Sequence, residues 1–120
     1  MINNYPLVNI YEKSSLKSKL SSQLLYGEKF KVIKKKNEWL KIKTSYDRYT
    51  GFIKNRKFLK SMKVTHKVSS LKAKLYLKHN KKFVTSRKLP FCSLISVNQK
   101  QKNFYKIGRY WIKKNDIVPI

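Results

Sequence analysis

Cysteine is nearly missing from this chain. Cys92 is the only one in 120 residues, so no intrachain disulfide can form and the paired cysteines of a zinc site are absent. Histidine is almost as scarce. His66 and His79 stand apart in lysine-rich stretches that read as loops; both read as ordinary exposed side chains, and no metal or other cofactor is expected. Acid is short too, with five Asp and Glu against 30 Lys and Arg. No apolar run approaches the roughly 20 residues that a helix needs to cross a bilayer, so no membrane span is expected. The opening "MINNYPLVNIYEK" has no basic segment leading into an apolar one. That excludes a secretory signal within these residues and makes a cytoplasmic protein the expectation.

What is present in excess is lysine. The net charge of +25 implies long-range attraction to polyanions, whether nucleic acid, anionic lipid or acidic wall polymer. Yet the arginines number only Arg48, Arg56, Arg87 and Arg109, and surfaces built to read nucleic acid lean on the bidentate arginine fork. Abundant Lys, Ile and Asn beside scarce Ala and Gly follows AT-rich coding. The charge therefore reads first as coding bias. Any nucleic-acid binding is expected to be sequence-independent and to collapse with salt.

No segment sustains a helical period. Apolar residues alternate with period two instead, as in "KFKVI", "WLKIKT", "TGFIK" and "KFLK", and turn-like stretches separate them. The chain also repeats itself. The stretch from Ile10 aligns without a gap on the stretch from Leu75, an offset of 65 residues. Trp39 then meets Phe104, Ile42 meets Ile107, and Phe30 and Val32 meet Ile95 and Val97. Beyond "TSYDRYTG" the second copy is six residues shorter, so Phe52 meets Trp111 and Phe58 meets Ile117. The expectation is an all-β chain of two small SH3-like barrels in tandem, residues 1–61 and 62–120, the second with a shorter loop.

The register carries a family resemblance. "SQLLYGE" at Ser22 to Glu28 and "YDRYTGFI" at Tyr46 to Ile53 resemble the first bacterial SH3-type (SH3b) domain of NlpC-type γ-D-glutamyl-diaminopimelate cysteine endopeptidases. "THKVSSLKAKLY", "LPFCSLISV" and "GRYWIKKNDIVPI" resemble the join to their second SH3-type domain, that domain, and its exit toward the peptidase. Those enzymes cleave γ-D-glutamyl bonds in murein peptides. Their nucleophile sits in an Asp-Cys-Ser-Gly motif with a histidine downstream. Here Cys92 follows Phe91, Leu94 follows Ser93, and both histidines lie upstream. The expectation is a structural thiol and no catalytic domain in this chain.

The resemblance implies a site as well. In enzymes of this architecture a Glu and a Tyr of the first SH3-type domain help hold the free amino group of the substrate's N-terminal L-Ala. By motif these are Glu28 and Tyr49, with Asp47 adding to the same negative patch. An ammonium in a partly desolvated corner wants a carboxylate and a hydroxyl acceptor. The second copy has Ser93 in place of Glu28 and lacks the "DRYTG" loop, so only the first copy could hold this site. The implied role is a non-catalytic recognition pair for murein-derived peptide, partnered by an NlpC-type catalytic domain in cis or in trans. The rival is a basic nucleic-acid-binding small β-barrel, in which aromatics among lysines stack on bases. A third reading is a general wall-binding module that kept the fold and lost the site.

Overall fold

Alternating strands dominate the computed structural model, which describes residues 1–120. The chain forms two compact units, Met1–Ser61 and Met62–Ile120. Helix is confined to two short 3-10 turns, Lys81–Phe83 and Lys114–Asp116.

Unit 1 contains β1 (Leu7–Tyr11), β2 (Leu20–Leu25), β3 (Phe30–Lys36), β4 (Trp39–Thr44) and β5 (Thr50–Lys54). They lie in the order β2-β1-β5-β4-β3, antiparallel throughout. Alternation turns Val8, Ile10, Leu24, Phe30, Leu40, Ile42 and Ile53 into one core, with Phe58 closing it. Phe58 meets Phe30 edge-to-face, ring centroids 5.1 Å apart. The strand expected at "KFLK" is only a bridge. A tight turn, Phe58 N–H to Arg56 carbonyl at 3.1 Å, drives Phe58 inward, and Leu59 alone pairs, with Ile2.

Unit 2 contains β6 (His66–Val68), β7 (Lys72–Tyr76), β8 (Val84–Pro90), β9 (Leu94–Ile95), β10 (Gln99–Lys100), β11 (Phe104–Ile107), β12 (Tyr110–Lys113) and β13 (Ile117–Pro119). Five of them order as β10-β11-β12-β7-β8 and three as β13-β6-β9. The sequence register holds strand by strand. Buried Ala73, Leu75, Leu89, Ile95, Ile107, Ile112 and Ile117 stand where unit 1 buries Val8, Ile10, Leu24, Phe30, Ile42, Ile53 and Phe58. Even the minor sheet corresponds: Ile2 bridges Lys29 and Leu59, and Lys67 pairs with Leu94 and Val118. The segment equivalent to β3 is split in unit 2 because the Thr65 hydroxyl takes the Val97 N–H at 2.9 Å.

Two residues mark what each unit needs locally. Gly27 and Cys92 occupy equivalent turns, with φ of 84° and 72°, and their N–H groups donate to equivalent carbonyls, Asn3 at 2.7 Å and Val68 at 3.0 Å. The left-handed conformation suits glycine and strains a residue with a Cβ. Cys92 is exposed, so its side chain has little packing to lose. Cys92→Gly is therefore expected to stabilise unit 2 by about 0.5–1 kcal/mol. Chemical denaturation checks this, and an unchanged or lower midpoint would show that the thiol packs usefully.

Candidate functional site

Glu28 closes a tight turn. Its N–H donates to the Leu25 carbonyl at 3.1 Å, and its Oε1 accepts the Leu25 N–H at 3.0 Å. Asn3 clamps the turn from behind, accepting the Gly27 N–H and donating its own N–H to the Glu28 carbonyl at 2.9 Å. Glu28 is half-buried.

Asp47 and Tyr49 belong to the loop between β4 and β5. The buried Thr44 organises it: its hydroxyl donates to Asp47 Oδ1 and accepts the Tyr49 N–H, the latter at 2.8 Å. That hydroxyl, helped by the Tyr49 N–H, holds the Asp47 carboxyl below its ordinary range. Asp47 is exposed and ionised at neutral pH. Tyr49 is half-buried, its ring lying on the core beside Gly51.

The turn and the loop are neighbours. β3 begins where β4 ends, Phe30 pairing with Thr44, and the Ser45 N–H donates to the Lys29 carbonyl at 3.1 Å. The structure thus places the Glu28 turn beside the loop of Asp47 and Tyr49 at one end of the barrel. Both carboxylates have one oxygen engaged within the chain, and the Tyr49 ring is a partial lid on the core. In unit 2 the loop shrinks to a two-residue turn, Gly108-Arg109 between paired Ile107 and Tyr110, with Gly108 at φ 56°. Ser93, in the place of Glu28, is fully buried and donates to the Pro90 carbonyl at 2.7 Å.

Sequence reading missed Asn3 and Thr44, the two residues that set this geometry. The repeat register would have exposed Asn3 had it been extended upstream of Ile10, for it sets Asn3 against the apolar Val68.

The outer face of each sheet carries aromatics, and the chain covers them itself. Tyr11 and Trp39 meet edge-to-face at 5.7 Å, as do Tyr76 and Phe104 at 5.1 Å, with Trp111 completing the second cluster. Lys54 lies over Trp39 at 5.3 Å, Lys113 over Tyr76 at 5.8 Å, and His79 against Trp111 at 5.0 Å. A stacked base would have to displace these side chains, which weighs against the nucleic-acid reading.

His66 departs from expectation. It is 7% exposed, on β6, because strand alternation turns it inward. Its Nδ1 lies 2.8 Å from the Thr65 hydroxyl and its ring meets Tyr105 edge-to-face. Burial, and then the Lys100 charge, hold its pKa below the usual value. The unfolded chain therefore takes up a proton first on acidification. His66 leaves stability intact above its unfolded pKa of about 6.5 and removes some as pH falls through that value toward the lower folded one. Denaturant midpoints are expected to decline from pH 7 to 5, and His66→Gln is expected to flatten that decline. An equal decline in the variant would assign it elsewhere.

The fold defines the class: small SH3-like barrels in tandem. Residues 6–60, most of unit 1, match the family described as the bacterial SH3 domain. The chain also resembles the crystal structure of an NlpC/P60 family protein from Bacillus cereus ATCC 10987, with a TM-score of 0.79 at 14% identity. That match covers 99% of this chain and 55% of the other, so the chain spans about half that protein's length. At this identity the likeness establishes the fold. No curated protein matches the sequence.

Proposed function

We propose that the chain is a non-catalytic recognition module for murein-derived peptides, partnered by an NlpC-type catalytic domain in cis or in trans. Unit 1 holds the peptide's free amino terminus through Glu28, with Asp47 and Tyr49 completing the corner. The observation that carries this reading is the Lys29–Ser45 hydrogen bond, which sets the Glu28 turn beside the loop of Asp47 and Tyr49. The bacterial SH3 match and the likeness to an NlpC/P60 family protein support the same assignment.

The chemistry is selective for charge. In a field set by +25, a carboxylate pair offers a cation one of few favourable places. The same field opposes it in open water, and a second domain closing over the corner strengthens the pairing by excluding solvent. Free peptide then binds the chain weakly and binds tightly once the cleft is complete. A requirement for a charged terminus accepts released peptides and rejects those still joined to glycan.

The test supplies an NlpC-type catalytic domain and compares wild type with Glu28→Gln on L-Ala-γ-D-Glu-diaminopimelate and its N-acetyl derivative. The substituted carboxamide keeps an acceptor for the Leu25 N–H, so the turn survives. Loss of one charge-assisted hydrogen bond, about 1.5 kcal/mol, is expected to cut the preference for the free amine roughly tenfold. An untouched preference would remove Glu28 from the site.

A further inference from the structure

The two units solve one position differently. In unit 1 the Asn55 N–H donates to the Glu38 carbonyl at 2.7 Å; in unit 2 the Lys114 N–H donates to the Asn103 carbonyl at 2.9 Å. Trp39 pairs with Lys54 across the sheet just as Phe104 pairs with Lys113. The backbones correspond and the side chains do not. Glu38 forms an ion pair with Lys54 at 2.6 Å, which holds the Glu38 carboxyl below its ordinary range and occupies the lysine. Asn103 cannot neutralise Lys113.

An open cleft of about 290 Å³ lies at this place in unit 2, lined by Lys81, Asn103, Phe104, Lys113 and Asn115. Its lining consists of two lysines, two asparagines and a phenylalanine, with no carboxylate; the Lys113 ammonium also lies over the Tyr76 ring at 5.8 Å. The acid next in sequence, Asp116, accepts the Ser70 hydroxyl at 2.7 Å. Carboxamides and ammoniums are donors suited to oxygen anions, and two lysines lining one cleft without a carboxylate leave charge for an anion to balance.

We infer that this cleft is an anion-binding site for a compact oxyanion group, a carboxylate or a phosphate, and that unit 1 lacks its counterpart because Glu38 occupies Lys54. The site is separate from the amine corner of unit 1 and does not depend on it. Unit 1 would then take a cationic group and unit 2 an anionic one, two complementary tasks from one repeated barrel.

The test is an NMR titration of the full chain with inorganic phosphate and, separately, with succinate, at ionic strength held constant with sodium chloride. Saturable shifts are expected at the Asn103 and Asn115 side-chain amides. A response to phosphate alone assigns a phosphoryl ligand, to succinate alone a carboxylate ligand, and to both the shared chemistry. Asn103→Glu rebuilds the unit 1 ion pair and is expected to weaken binding at least tenfold, as is Lys113→Gln. Lys60→Gln removes the same charge from unit 1 and is expected to leave it unchanged. Asn103 is exposed and is held through its backbone carbonyl, and the remaining amide spectrum reports that the fold is intact. Unsaturable shifts, shifts spread equally over both units, or equal losses in Lys60→Gln and Asn103→Glu would overturn the assignment.

Discussion

Asn3→Val is expected to destabilise unit 1 by about 3 kcal/mol. Asn3 is fully buried. Its Nδ2 lies 3.0 Å from the Tyr5 carbonyl, 3.2 Å from that of Leu24 and 3.1 Å from that of Leu25, and its Oδ1 accepts the Tyr5 N–H at 2.9 Å. Valine would leave these groups short of partners inside the barrel, where water does not replace them. A domain of about 60 residues has total stability of roughly 3–9 kcal/mol, so the loss is a large share. Unit 2 carries Val68 at this position, and there Ser93 takes the Pro90 carbonyl, the equivalent of Leu25. The double variant Asn3→Val/Glu28→Ser imports that arrangement. It is expected to recover about 1 kcal/mol of the loss, as read by denaturant unfolding. Strict additivity would show that Asn3 and Glu28 do not share the turn.

Gly51→Val is expected to be comparably severe. Gly51 sits on β5 opposite Ile42, where β1 crosses so closely that an added Cβ would collide with the Ile10 side chain and lie 3.2 Å from the Tyr11 carbonyl. Ile10 is 1% exposed and has nowhere to retreat, and the carbonyl belongs to backbone. Overpacking a closed core costs about 1–3 kcal/mol and sometimes more; at 4–8 °C per kcal/mol for a domain of this size, the melting temperature of unit 1 should fall by about 4–24 °C. The same Cβ would lie 3.7 Å from the Tyr49 ring, an ordinary van der Waals contact, so the cost falls on the packing of β1 against β5. A melting temperature within about 2 °C of wild type would mean that β1 and β5 can part at little cost.

The sequence made the all-β class and the repeat legible because both are written in apolar alternation, and alternation decides which face a strand buries. His66 shows the limit of composition. Lysine neighbours suggested a loop, yet it stands two residues before Val68 on a strand whose alternation buries both. Glu28 was visible through a motif; the Asn3 and Thr44 bonds that fix its surroundings were not, since a lone polar residue reveals a buried partner only in three dimensions. The cleft at Asn103 was hidden differently. Its signal is a difference between two aligned positions, Glu38 and Asn103, and its meaning depends on Lys54 and Lys113 lying across the sheet from the residues that follow them.

The most direct measurement is chemical-shift mapping of the chain titrated with L-Ala-γ-D-Glu-diaminopimelate and with its N-acetyl counterpart. The free-amine peptide is predicted to shift the backbone amides of Gly27 to Lys29 and of Asp47 to Gly51, with a Kd in the millimolar range, and the N-acetyl peptide to leave them in place. Equal shifts from both peptides, or shifts confined to other parts of the chain, would contradict amine recognition by unit 1.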